Sequence, residues 1–185
     1  MTVEWPLRGR LQQGMIFSNC LVPGYGACDG WGLVITARCD LANQKVPVMN
    51  YLPVVRFEDW VNEDGRAVLL GRAEAEEDGT VAKLLRELGA PESVLLGTPL
   101  PEVLKRLLEG LESKQRKPFL SRCEKAAAHC NEFARQDGPS LEWLKAEFPK
   151  LYSAVVRELM THRLPGYYFL PRLEPSEPMG CYVVL

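Results

Sequence analysis

Hydrophobic and polar positions change their spacing twice along the chain, which predicts strands, then helices, then strands again. Over residues 1–60, short apolar runs such as GMIFSNCLV, LVITA and KVPVMNYLPVVRF are separated by glycine and proline. A continuous β-branched run such as LVITA is typical of a strand that is buried on both faces. Between the first two runs, YGACDGWG predicts a hairpin turn, because Asp29-Gly30 favours tight turns. Pro47 and Pro53 in the third run predict an edge strand or a bulge.

Between residues 61 and 163 the apolar positions follow the 3.6-residue period of helices. Ser121 and Glu124 have the spacing of a capping box, so they predict the start of a helix. Ser140 is expected to cap the helix LEWLKAEF. Pro149 cannot lie inside that helix, so it is expected to open the next one. This part of the chain is therefore predicted to be mostly helical.

Residues 164–185 return to a strand pattern in GYYFLPRL and GCYVVL. One arrangement that accounts for this order pairs the last strands with the first ones and inserts the helices between them. We therefore predict an α+β protein with a small SH3-like β-barrel. Residues 1–60 and 164–185 would form the barrel, residues 61–163 would form a mostly helical insertion, and the C-terminal strands would return to the barrel.

Composition narrows the classes of function. Apolar residues make up 46% of the 185 residues, enough for a substantial core, and 22 basic against 24 acidic residues give a net charge of −2. This balance argues against nucleic-acid binding over the whole surface, although a local basic patch stays open. The N-terminus has no apolar signal region, and no run reaches the roughly 18 apolar residues of a membrane-spanning helix. We expect a cytoplasmic protein that does not bind membranes.

The six cysteines form no CxxC pair, so they are interpreted as reduced thiols, and neither a metal nor a cofactor is expected. The two histidines, His129 and His162, fall on predicted helices. Each is expected to be a surface or boundary residue, and a Ser-His-Asp triad has no support because the chain lacks a GxSxG motif.

The end of the second strand carries the candidate catalytic residues. The apolar run of GLVITARCDLA is followed by Thr36, Arg38, Cys39 and Asp40. In one interpretation Arg38 clamps an anion, Cys39 is a nucleophile and Asp40 is a base, because a nearby cation can lower the pKa of a thiol. In the other, Asp40 caps a turn and Cys39 packs as a small hydrophobic residue.

Three stretches of the front region, QGMIF, GLVITARCDLANQK and YLPVV, together resemble the core of PemK/MazF-type toxins. This resemblance implies an SH3-like barrel and a metal-independent endoribonuclease, with Thr36 facing the RNA. The family's arginine position is occupied by Gly30-Trp31-Gly32, so Arg38 would have to replace that arginine. Leu33–Leu41 and Tyr167–Pro171 also resemble the vvlTqxCDl and yyfLP segments of a group of uncharacterised bacterial proteins.

A third interpretation concerns DNA. The stretch SLEWLKAEFPKLYSAVVRELMTH followed by two strands has the order of a winged helix. The residues that would face DNA are Lys145, Lys150, Tyr152 and Arg157.

The interpretation that we favour is a non-catalytic binding or interaction module, because no pair of titratable groups has a spacing that suggests acid–base chemistry. The two resemblances suggest a small subunit of a toxin-associated or defence-associated bacterial complex. The partner would be another protein or a second copy of the chain. It is expected to contact the apolar stripe of the predicted helix near residue 107, which consists of Leu104, Leu107, Leu108 and Leu111.

Overall fold

The computed structural model describes residues 12–26, 30–43, 47–173 and 182–185. The strands are β1 (Ile16–Cys20), β2 (Gly30–Val34), β3 (Tyr51–Arg56), β4 (Tyr168–Leu170) and β5 (Tyr182–Val184). The helices are α1 (Arg38–Ala42), α2 (Phe57–Asn62), α3 (Asp64–Glu87), α4 (Leu100–Glu109), α5 (Ser113–Phe133), α6 (Leu141–Glu147) and α7 (Pro149–Met160), with a 3-10 turn at Glu92–Leu95.

The chain divides into two compact units. Unit 1 takes its described residues from Met1–Ala67 and Ser153–Leu185, and unit 2 is Val68–Tyr152. Unit 1 therefore contains every strand and is built from both ends of the sequence, whereas unit 2 is helical. The insertion over residues 61–163 stays a prediction.

The strands form one antiparallel sheet in the order β1-β2-β3-β5-β4. β5 lies beside β3, with Val55 opposite Val183, so the end of the chain pairs with its front region. The predicted SH3-like barrel is wrong. A barrel closes only when its outer strands pair, and β1 and β4 lie at opposite ends of the order. Among the described residues the α+β fold has an open five-stranded sheet.

β1 and β2 pair as the antiparallel hairpin that YGACDGWG predicted, but Gly30 and Gly32 of that stretch lie inside a strand, so the turn prediction is wrong for these two residues. β2 begins at Gly30 and ends at Val34, and only the first two residues of LVITA are in it. A Cβ atom on Gly32 would collide with the ring of Phe17, which lies opposite on β1. Glycine is required here for the close approach of a neighbouring side chain.

Pro53 was expected at an edge or a bulge, but β3 is the central strand of the sheet. The carbonyl of Pro53 accepts a hydrogen bond from the Leu185 N–H at 2.9 Å. Because N and O of one strand residue point to the same side, the Pro53 nitrogen faces the position after Val184, where β5 ends. The missing N–H therefore costs no bond to β2.

The helix termini were predicted with mixed success. The Ser140 hydroxyl accepts from the Trp143 N–H at 3.1 Å and caps α6, and Pro149 is the first residue of α7, so both predictions are confirmed. The capping box at Ser121 is wrong, because α5 starts eight residues earlier at Ser113. Since Ser121 lies in the middle of a helix, its backbone has no free N–H groups for a cap to satisfy.

Unit 2 has its own apolar core, which is formed by buried residues of α3, α4 and α5. Its members are Val81, Leu84, Leu85, Val103, Leu104, Leu108, Cys123 and Ala126. In unit 1, Trp60 of α2 is fully buried, and the ring of Tyr167 lies edge-on to it with centroids 5.4 Å apart. Each unit thus buries large side chains internally.

Replacing Gly65 with alanine should lower the free energy of unfolding by about 1–3 kcal/mol, because its Cβ would overpack a core. That Cβ would lie 2.9 Å from Cζ3 of the buried Trp60 ring. Gly71→Ala in the same helix is the matched control, since its Cβ would meet nothing within 4 Å. It should instead raise the free energy by up to about 1 kcal/mol. Urea unfolding measures both; equal effects would contradict the steric explanation.

Candidate functional site

Thr36 lies just after β2 and is buried. Its hydroxyl accepts from the Asn50 N–H at 2.7 Å and can donate to the Asn50 carbonyl at 3.4 Å. The Ile35 N–H also donates to the Asn50 carbonyl, at 3.0 Å. These bonds join the two ends of the connection between β2 and β3. The Thr36 hydroxyl is therefore buried and links the start of this connection to its end at Asn50.

The next three candidate residues lie on α1. Arg38 and Cys39 are exposed, so the interpretation that Cys39 packs as a small hydrophobic residue is wrong. The Cys39 thiol is 3.7 Å from a carboxylate oxygen of Asp40. The described hydrogen bonds of the Thr36 side chain lead to Asn50 and not to these residues. Among the described hydrogen bonds, the Cys39 thiol contacts its neighbour Asp40 and not a histidine, the residue type that usually activates such a thiol.

The four candidate DNA-binding residues do not form one surface within one unit. The Lys145 ammonium lies 5.1 Å from the centre of the Tyr152 ring, a cation–π contact. Lys150 and Arg157 are exposed on α7. The boundary between the units falls after Tyr152, so Arg157 and the strands belong to unit 1 and the other three residues to unit 2. DNA binding stays a prediction.

The apolar stripe expected to meet a partner lies against the core of unit 2. Leu104 and Leu108 are buried there, and Leu107 and Leu111 are partly buried against the same cluster. The stripe therefore has neighbours within its own chain.

His129 lies at the centre of a polar cluster in unit 2. His129 on α5 is buried, so the expectation that it is a surface or boundary residue is wrong. Its Nδ1 lies 2.8 Å from a carboxylate oxygen of Glu77 on α3, and its Nε2 lies 3.2 Å from one of Glu147 on α6. The Lys125 ammonium contacts the same oxygen of Glu147 at 3.1 Å. One ring thus joins three helices of unit 2.

This cluster lines a cleft of about 250 Å³. The other residues around the cleft are Glu76, Thr80, Leu84, Arg122, Ala126 and Phe148. Hydrogen bonds from Lys125 and then from His129 lower the pKa of the Glu147 carboxyl, so this group stays ionised in mildly acidic solution. Arg122 pairs with Glu87, which lowers the pKa of that carboxyl as well. The charges around the cleft are therefore largely paired with one another.

The cluster is not arranged to hold a single metal ion. The two carboxylates approach opposite nitrogens of the His129 ring, so an ion bound to one nitrogen would be on the wrong side for the other carboxylate. Within the described ranges, no group of three histidine, cysteine or acidic residues has a geometry suited to a metal.

One local signal could have located His129. Cys123, Ala126 and His129 are three residues apart and form the buried side of α5, so the helical spacing from Cys123 and Ala126 indicates that His129 is buried as well. The partners were beyond reach, because Glu77 and Glu147 are 52 and 18 residues away in the chain. Only the packing of α3 and α6 against α5 places them at the ring.

No protein-family model, curated protein or solved structure matched the chain in the three comparisons. In the part of the chain that the structure describes, no helix combines the length and the apolar character needed to cross a membrane.

Proposed function

We propose that the chain is a non-catalytic protein-binding module that docks through the described parts of the connection between β2 and β3, residues 35–43 and 47–50. The observation that carries this proposal is the set of bonds between Asn50 and the residues Ile35 and Thr36. They fix the two ends of the connection to each other beside the neighbouring strands β2 and β3. A loop held by a rigid scaffold is the usual place for binding residues.

The connection presents apolar side chains on both sides of its base. Ile35, directly after β2, is 43% exposed, and Val48, three residues before β3, is 67% exposed. Arg38 and Cys39 on α1 are exposed between them in the sequence. A partner suited to this surface has an apolar recess for Val48 and a carboxylate for Arg38. Apolar anchors beside an arginine are the composition expected of binding hot spots.

The runner-up, a PemK/MazF-type endoribonuclease, has less support. That hypothesis needs the Thr36 hydroxyl at the RNA, but the hydroxyl is buried and bonded to Asn50. The sheet is also open and not the barrel on which the resemblance depended. The two resemblances of the sequence, to the toxin family and to bacterial proteins with a vvlTqxCDl segment, are together the basis of the further proposal that the chain is a small subunit of a toxin-associated or defence-associated complex.

Val48→Asp should weaken binding of the native partner at least tenfold, because it places a charge in the apolar contact. The partner is identified by purification of the tagged chain from its own cells and by mass spectrometry. Calorimetry on the two purified proteins then gives the dissociation constant. Ile35→Asp should have the same effect, and both variants should melt like the wild-type protein.

Leu96→Asp is the matched control, since Leu96 is 84% exposed and belongs to unit 2, whereas the connection belongs to unit 1. It should bind like the wild type. Two results would refute the proposal: unchanged binding by Val48→Asp, or cleavage of RNA by the wild-type chain that Thr36→Val abolishes.

A further inference from the structure

We propose that His129 is a protonation-controlled lock in unit 2, which holds α6 against α3 and α5 while its ring carries two protons and releases α6 when one proton is lost. The lock is independent of the proposed docking connection, because every residue in it belongs to unit 2. It makes the exposure of an aromatic cluster depend on pH.

The first step rests on the hydrogen-bonding capacity of the ring. Each ring nitrogen of His129 faces a carboxylate oxygen, at 2.8 Å for Glu77 and 3.2 Å for Glu147. An imidazolium has two N–H donors and can satisfy both acceptors, whereas a neutral imidazole has one donor and one lone pair. A neutral ring would therefore point a lone pair at a carboxylate, so this geometry belongs to the charged ring.

The second step is the charge balance of the cluster. Glu77 and Glu147 supply two negative charges, and Lys125 and a charged His129 supply two positive ones. Loss of the ring proton leaves one negative charge unmatched in a partly enclosed site, which is costly. The remaining charged residues at the cleft are Arg122, whose guanidinium is paired with Glu87, and Glu76.

When the ring loses one proton, it keeps its hydrogen bond to Glu77 and loses the one to Glu147. The Glu77 side chain is 12% exposed, and the ring is the cation that contacts it. Glu147 is 36% exposed and also pairs with Lys125. The more deeply buried carboxylate needs a donor more, so the last ring proton stays on Nδ1 toward Glu77. The contact to Glu147 therefore breaks. Because Glu147 is on α6, His129 then no longer holds this helix.

α6 is packed into an aromatic cluster around His129. The rings of Trp143 on α6 and Phe148 just after it each lie 5.3 Å from the His129 ring, and Phe133 lies 5.6 Å from Trp143. α6 has only seven residues, and so short a helix has little stability of its own. The buried Leu141 and Leu144 also hold α6, so without the contact to His129 the helix should open more often, and each opening should expose this aromatic cluster.

The direction with pH follows from these groups. The lowered pKa of Glu147 keeps its carboxylate ionised in mild acid, so this acceptor is present there. The lock is closed on the acidic side of the ring's titration and opens as pH rises through it.

The test compares two measurements on the whole chain across pH 5 to 9, which spans an ordinary histidine titration. NMR of the ring nitrogens follows the protonation of His129, and hydrogen exchange follows the amides of α6, corrected for the intrinsic effect of pH. Exchange in α6 should become at least about tenfold faster as the ring loses its proton, the effect of losing one charge-assisted hydrogen bond. Amides of α4 should not change.

Variants separate the lock from a merely structural role. Glu147→Gln, which cannot form the ion pair, should give fast α6 exchange on both sides of the titration, whereas His162→Gln should behave as wild type because His162 is exposed. Two results would overturn the proposal. One is a ring that carries a single proton throughout this range, and the other is α6 exchange that ignores the ring's titration.

Discussion

Val183→Asp should lower the free energy of unfolding of unit 1 by about 3 kcal/mol or more, because it buries a charge without a partner. Val183 is fully buried in β5 opposite Val55 of β3, which is also buried. β5 connects β4 to the front three strands. Damage at this position should therefore separate the strands contributed by the two ends of the chain.

Val48→Asp makes the same chemical change at a position that is 67% exposed, so it is the matched control. Its free energy of unfolding should stay within about 0.5 kcal/mol of the wild-type value. Urea unfolding gives the overall values, and hydrogen exchange of the β3 and β5 amides reports on unit 1 alone. Equal loss in the two variants, or protected β3 amides in Val183→Asp, would contradict the pairing of β3 with β5.

The order of strands and helices was predictable because it depends on local spacing. The first residues of α6 and α7 were also predictable, because the effects of Ser140 and Pro149 on the backbone are local. Closure of the sheet was not, because it depends on whether β1 and β4 pair, and these strands are about 150 residues apart in the chain. Short strands with apolar runs fit an open sheet as well as a barrel.

Gly30 and Gly32 show why a residue-type rule can fail. Glycine is common in turns because it tolerates positive φ, and that rule placed Gly30 and Gly32 in the turn of the predicted hairpin. In the structure these glycines are strand residues whose missing side chains make room for Val22 and Phe17. The sequence alone does not distinguish the two uses, because the second depends on which strand lies opposite.

At the candidate site, the sequence indicated which residue types are present but not what they contact. The end of β2 does carry a distinctive group, yet the Thr36 hydroxyl is bonded to Asn50, fourteen residues further on. His129 was placed on the correct helix, but its burial depends on α3 and α6. In both cases the sequence gives the residue type but not the residue that it contacts. Thr36 was therefore given a role at RNA, and His129 was given no role.

Leu104→Ala should lower the free energy of unfolding of unit 2 by about 2–5 kcal/mol, the usual cost of such a cavity in a core. Leu104 is 1% exposed and packs in the cluster shared by α3, α4 and α5. The matched control is Leu96→Ala, the same change at a side chain that is 84% exposed, which should cost less than about 0.5 kcal/mol.

Urea unfolding and hydrogen exchange of the α4 amides measure this loss, and light scattering measures the mass of the particle in the same samples. The apolar stripe was expected to bind another chain, and this experiment decides between the two roles. If Leu104→Ala left the stability of unit 2 unchanged but dissociated an oligomer, the stripe would be an interface. We expect the reverse, because a side chain already enclosed by α3 and α5 has no apolar area left to offer a partner.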